Sequence, residues 1–165
     1  MHFKTGFSTV IFWILTVLFL FSAPLYCQKE SFIVKTAFVE KFARFTKWPD
    51  ENLKSAEKLD FTIGIFGEYP LGGDIQKIYR NMKIRIKGRK TVFKYFKKVE
   101  EIDNIHMLII RENNDKELKE ILSLISNRPI LTVSERKGNG SKGVHINFFE
   151  KGSRIRFEIN ETAVH

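Results

Sequence analysis

The chain has 165 residues, with 28 Lys and Arg against 19 Asp and Glu and a formal net charge of +9. That length suits one folded domain after removal of a leader. A single cysteine, Cys27, excludes a disulfide framework and a cysteine-based metal site.

The first segment reads as an export signal. Lys4 is followed by "TVIFWILTVLFLF" from Thr9 to Phe21, and Ser22, Ala23 and Pro24 break the run. About 13 apolar residues match a signal-peptide core and fall short of the roughly 20 that a membrane span needs. Cleavage near Cys27 gives a signal peptide over 1–27 and an exported domain over 28–165. The short core argues against an uncleaved anchor, and Tyr26, a large residue before the cysteine, argues against lipidation. The exported part keeps 27 cations against 19 carboxylates. Export turns that excess away from nucleic acid and toward anionic lipid head groups, cell-wall polymers or an acidic protein.

The elements follow in chain order. Glu30 to Lys47 has helical spacing, with Val34, Phe38, Phe42 and Phe45 on one face and Lys35, Lys41 and Arg44 toward the other. Trp48-Pro49 ends this amphipathic helix, because the residue before proline is pushed out of helical geometry. "DFTIGIFG" (Asp60 to Gly67) alternates and reads as a strand, and "PLGGDIQKIYRN" as a turn and short helix with Asp74 near its start. Arg89 to Phe96 is β-rich, and Ile105 to Arg111 is a continuous apolar run typical of a buried central strand. "NNDKELKEILSLISN" places Leu118, Ile121, Leu122 and Ile125 on one helical face, capped by Asn or Asp and stopped at Arg128-Pro129. "PILTVSE" is a strand and "RKGNGSKG" a loop. "VHINFFEKGSRIRFEIN" is a hairpin turning at Lys151-Gly152. Strands alternating with helices predict a single compact three-layer α/β domain with a mixed sheet, an N-terminal amphipathic helix and a C-terminal antiparallel hairpin.

Catalytic patterns are missing. "GIFGEYPLGG" fits neither phosphate-loop spacing, and "RKGNGSKG" is either a backbone nest for an anion or an ordinary loop. His106 and His145 have no carboxylate at metal-ligand spacing, and Ser134 lacks a nucleophile-elbow setting. Glu158 and Glu161 are close in sequence without a defined cleft. The chain is therefore read as a non-enzyme without metal or cofactor. Its strongest compositional feature is Lys83 to Lys98, with eight cations and no carboxylate. Lys83, Arg85 and Lys87 alternate with Ile84 and Ile86, so an extended conformation puts all three charges on one face. That face is either a solvated edge that deters aggregation or a docking patch for a partner or an anionic membrane.

"VKTAFVEKFARFTKWP", "FTIGIFGEYPLGG", "RPILTVSE", "KGVHINFF" and "SRIRFEIN", in that order, resemble the YfiR family of periplasmic regulators. The resemblance covers about Val34 to Asn160. Phe38, Phe42, Phe45, Trp48 and Pro49 match its N-terminal signature, Gly67 its strand end, and Arg156, Phe157, Glu158, Ile159 and Asn160 its closing one. It implies a non-catalytic α/β protein, dimeric in known members, that holds the periplasmic sensing region of an inner-membrane diguanylate cyclase in check and so limits cyclic di-GMP and biofilm. A sensor kinase is the other receptor class considered. Partner contact is expected through apolar surface including Phe38, Phe42, Phe45 and Trp48, aided by Lys83, Arg85 and Lys87. Members commonly carry disulfides, and their pattern continues past Phe-Glu-Ile-Asn into an amphipathic helix. The exported part here has no cysteine, so redox control is not expected. The alternative function is a periplasmic small-ligand sensor or carrier with a cleft near Gly67 to Asp74.

Overall fold

The computed structural model describes residues 31–49, 59–67, 74–111, 114–152 and 154–163. The signal peptide expected over 1–27 lies outside them, as does most of the Gly-rich stretch after Gly67. By internal contacts the chain divides into Met1–Lys35 and Thr36–His165. Residues 31–35 of the first unit are helical, and residues 36–45 of the second form helix α1. The packing described below is that of the second unit.

Seven strands form one sheet: β1 (Phe61–Phe66), β2 (Arg85–Ile86), β3 (Arg89–Phe96), β4 (Met107–Ile110), β5 (Leu131–Ser134), β6 (Ile146–Lys151) and β7 (Arg154–Ile159). Their order is β2-β3-β1-β4-β5-β6-β7. The five inner strands are parallel, and β2 and β7 close the two edges antiparallel. β1, β4 and β5 are buried along their whole length, as strands covered on both faces must be.

Helix α2 (Asp74–Asn81) links β1 to the β2–β3 side, and α3 (Asp115–Ile125) links β4 to β5 on the other. Right-handed crossovers running in opposite directions put these helices on opposite faces. Tyr79 of α2 sets its ring edge-on to Phe93 at 5.1 Å, on the face that carries Ile63 and Phe61. On the other face Leu118, Ile121 and Ile125 of α3 pack with Phe66, Phe96, Leu108 and Ile110. Burying each such side chain contributes about 1.5–3 kcal/mol. Asn114 caps α3 by accepting the Glu117 N–H at 2.8 Å, as the sequence predicts.

Two expectations need correction. Residues Lys83 to Lys87 are not one extended run. Only Arg85–Ile86 is strand, and Lys83 and Lys87 both take left-handed φ near 51°. With Gly88 at φ 77°, Lys87-Gly88 is the two-residue turn of a β2–β3 hairpin, whose twist favours positive φ at both positions. Lys83, Arg85 and Lys87 therefore do not share a single strand face. On α1 the buried stripe is Thr36, Val39 and Ala43, while Phe45 is 82% exposed. Phe38 and Phe42 lie between, half-buried.

Gly64, at the centre of β1, has no room for a side chain. A methyl group there would come within 2.9 Å of both Ile105 Cδ1 and Phe96 Cε2 and 3.0 Å of Leu108 Cδ1. Gly64→Val is expected to cost about 1–3 kcal/mol by overpacking, read as a lowered midpoint in urea denaturation.

Candidate interaction surface

α1 lies against the β6–β7 end of the sheet through rings. Phe38 stacks on Phe42 at 5.9 Å, and both reach Phe157 of β7, at 5.3 Å and 4.9 Å. Phe148 of β6, fully buried, closes the group at 6.1 Å from Phe38 and 5.9 Å from Phe42. Such tilted and edge-on pairs contribute about 0.5–1.5 kcal/mol each beyond area burial. Phe45 is three residues past Phe42, so it extends the same side of the helix into solvent. Ile159, 52% exposed, continues the face of Phe157 along β7. Trp48 rests on the first residue of β1, and Ile159 pairs with the first residue of β6. Phe45 and Ile159 thus project at the same end of the sheet.

β7 is also an open strand edge. Asn160 donates its N–H to His145 O at 2.8 Å, which makes that pair hydrogen-bonded and sets the alternation along the ladder. Residues 155, 157 and 159 then turn their backbone groups outward.

Trp48 stands between two clefts at the N-terminal ends of the parallel strands. It is buried, donates Nε1–H to Ala43 O at 2.9 Å, and sets its ring edge-on to Phe61 (5.1 Å) and His106 (5.9 Å). Pro49, the next signature residue, is exposed and lines both clefts. The first cleft, about 450 Å³, has walls from Trp48, Leu59 and Ile105 and polar groups from Arg89, Lys94 and His106. Arg89 is only 2% exposed. It donates to Leu59 O and Asp60 O at 2.9 Å each, with Nη2 2.8 Å from His106 Nε2. His106 Nδ1 accepts the Thr62 N–H at 3.1 Å. The second cleft, about 530 Å³, lies toward α3 and His145. His145 Nδ1 accepts the Thr132 N–H at 3.0 Å, and Thr132 Oγ1 accepts the His145 N–H at 2.9 Å. Burial lowers the His145 pKa below its ordinary value, partly opposed by a hydrogen bond to the Ala163 backbone.

The closing residues hold a loop. Glu158 accepts from Asn147 Nδ2 at 3.0 Å, and Asn160 Nδ2 donates to Gly140 O at 2.7 Å. Asn139 is buried and donates to Ser134 Oγ at 2.8 Å. Asp115 takes both Arg136 and Lys142 at 2.7 Å, and these cations lower its carboxyl pKa. The "RKGNGSKG" segment is thus pinned at both ends. Arg156 is exposed opposite Phe149, and Gly67 leaves β1 at φ 90°, its N–H directed to Phe96 O. Lys83 and Arg85 line a third cleft, at the opposite sheet edge, far in strand order from the aromatic group. Among the described residues no three His, Cys, Asp or Glu side chains are placed to hold a metal, and no helix is long and apolar enough to cross a membrane.

The sequence pattern of the YfiR/HmsC-like family matches residues 33–165. The chain belongs to the YfiR/HmsC-like family. No curated protein matches it. The family is one of periplasmic regulators, regulatory rather than catalytic. In this YfiR/HmsC-like domain the N-terminal signature divides by role. Phe38 and Phe42 pack, Trp48 is buried, and Phe45 and Pro49 are exposed. Thr36, Val39 and Ala43, the most buried positions over 36–45, carry no large-apolar signal, so periodicity read on the phenylalanines passes over them. The two histidine–threonine pairs had no sequence signal at all, since each joins positions that only the sheet brings together.

The His145 shift has a signed consequence. Its folded pKa lies below the unfolded value of about 6.5, so the unfolded chain binds the proton first as pH falls. The stability tied to its neutral form is complete above about pH 6.5 and is lost as pH drops toward the folded pKa. Unfolding free energy measured in urea should rise with pH across that window, and His145→Gln should flatten the slope.

Proposed function

We propose that this protein binds and restrains the periplasmic sensing region of an inner-membrane signalling protein, a diguanylate cyclase in the first instance. Family membership over 33–165 supports the class. The observation that carries the reading is Phe45, 82% exposed beside a packed aromatic cluster and an open strand edge. A monomeric domain gains nothing by leaving a phenylalanine there. Covering it on a partner contributes about 1.5–3 kcal/mol. The outward backbone groups of residues 155, 157 and 159 can pair with an extended partner segment. Binding that favours one state of the sensing region holds the receptor there by its differential affinity alone. The same surface also suits a homodimer, which sedimentation of the purified protein would detect.

Phe45→Asp should abolish capture of the inner-membrane receptor in a pull-down while leaving the melting temperature within a few degrees of the wild type. In cells it should raise cyclic di-GMP as deletion does. Unchanged cyclic di-GMP on deletion, with capture intact, would move the assignment to a sensor kinase.

The Trp48 clefts support a second reading, in which a small ligand sets the regulator's state. The first combines a buried guanidinium with apolar walls, as amphipathic ligand sites do. It lies at the opposite strand ends from the Gly67 to Asp74 region expected from the fold class. A periplasmic metabolite acting there should raise the melting temperature, and Lys94→Ala or Trp48→Phe should reduce that rise. No stabilising compound in such a screen would remove this reading.

A further inference from the structure

From Ile75 to Lys98 the chain carries ten cations and no carboxylate. Four of them, Arg80, Lys83, Arg85 and Lys90, line a cleft of about 550 Å³ between α2 and the β2–β3 hairpin. Its other lining includes Gln76 and Thr91, with no acidic residue. Among the described residues, no ion pair engages any of the four. Arg85 uses its Nε–H on Gly88 O at 2.8 Å, and the remaining charges are uncompensated.

The fold works against itself here. Arg85 and Lys90 are directly opposed in the antiparallel ladder, where like charges repel. Lys83 adds a third cation from a left-handed backbone position, a conformation that favours glycine. A solvated edge needs charge, but it needs neither convergence on a concavity nor cross-strand repulsion. An anion seated between α2 and the hairpin relieves both. Arginine suits a phosphoryl group in particular, because its planar fork matches phosphate oxygens two at a time. Met82, 70% exposed between Arg80 and Lys83, adds an apolar side chain beside the cations.

We propose that this cleft is a phosphate-recognition site, in which Arg80, Lys83, Arg85 and Lys90 hold the phosphoryl group of an anionic phospholipid or of a soluble phosphate ester. It is independent of the receptor assignment, since it sits at the β2–β3 edge and the aromatic surface at the β7 edge.

The test uses two probes on the purified protein. One is phosphatidylcholine vesicles with and without phosphatidylglycerol, read by co-sedimentation. The other is pyrophosphate, read by calorimetry and by thermal shift. Lys83→Gln with Lys90→Gln is compared with Lys116→Gln with Lys119→Gln, which removes the same charge from exposed positions on α3. The cleft variant is expected to bind roughly tenfold or more weakly, while the α3 variant keeps its affinity. Binding to phosphatidylglycerol vesicles alone assigns the site to lipid phosphodiester. Pyrophosphate binding that also displaces vesicles assigns it to phosphate esters in general, and pyrophosphate binding alone to soluble ones. Equal loss in the two variants, survival of binding in the cleft variant, or no binding of either probe by the wild type would overturn the proposal. Lys90→Gln alone guards against misfolding, and its melting temperature without phosphate should not fall, because it removes the repulsion with Arg85.

Discussion

The indole of Trp48 sets the geometry on which the rest depends. Its N–H holds the Ala43 carbonyl near the end of α1, and its ring lies edge-on to Phe61 and His106 at the start of the sheet. One side chain thus satisfies a terminal helix carbonyl and fixes where α1 ends. With that end placed, Phe38 and Phe42 fall on β6 and β7, and Phe45 is carried past the edge of contact into water. The clefts on either side of Trp48 exist because the indole fills the space between them.

A second constraint operates along the same ends of the strands. A parallel sheet starts with backbone N–H groups that need partners. Here the Thr62 and Thr132 N–H groups are each met by an imidazole from a neighbouring segment, His106 and His145. These two histidines resemble ligands or catalytic bases when read in isolation. Their ring nitrogens are instead engaged in hydrogen bonds to the sheet, and burial of His145 ties its neutral form to stability. At the far edge Asn160 donates to the Gly140 carbonyl, and Glu158 accepts from Asn147 across the β6–β7 hairpin. From the closing signature, Phe157 and Ile159 contribute to the apolar surface.

The two edges of the sheet differ in chemistry. At β7 the exposed Phe157 and Ile159 lie on one face, with Arg154, Arg156 and Glu158 exposed on the other, and the strand is an outer one. At β2 the exposed groups are cations around a concavity, which suits anions.

The sequence by itself determined the layered α/β class, the strands over Asp60 to Gly67 and Arg89 to Phe96, the capped α3 and the C-terminal hairpin. These are set by local periodicity, caps and turn residues, whose physics acts within a few positions of the chain. Family membership was legible too, because its short motifs recur in order. What only the tertiary structure decided was which of four signature aromatics stays exposed, since their shared spacing says nothing of what the helix meets. It also decided that Lys83, Arg85 and Lys87 do not form one strip, because a tight hairpin overrode alternation. The pairing of His106 with Thr62 and of His145 with Thr132 belongs to the same category. Strands distant in sequence become neighbours only when the sheet assembles, and a hydrogen bond reaches no farther than about 3 Å.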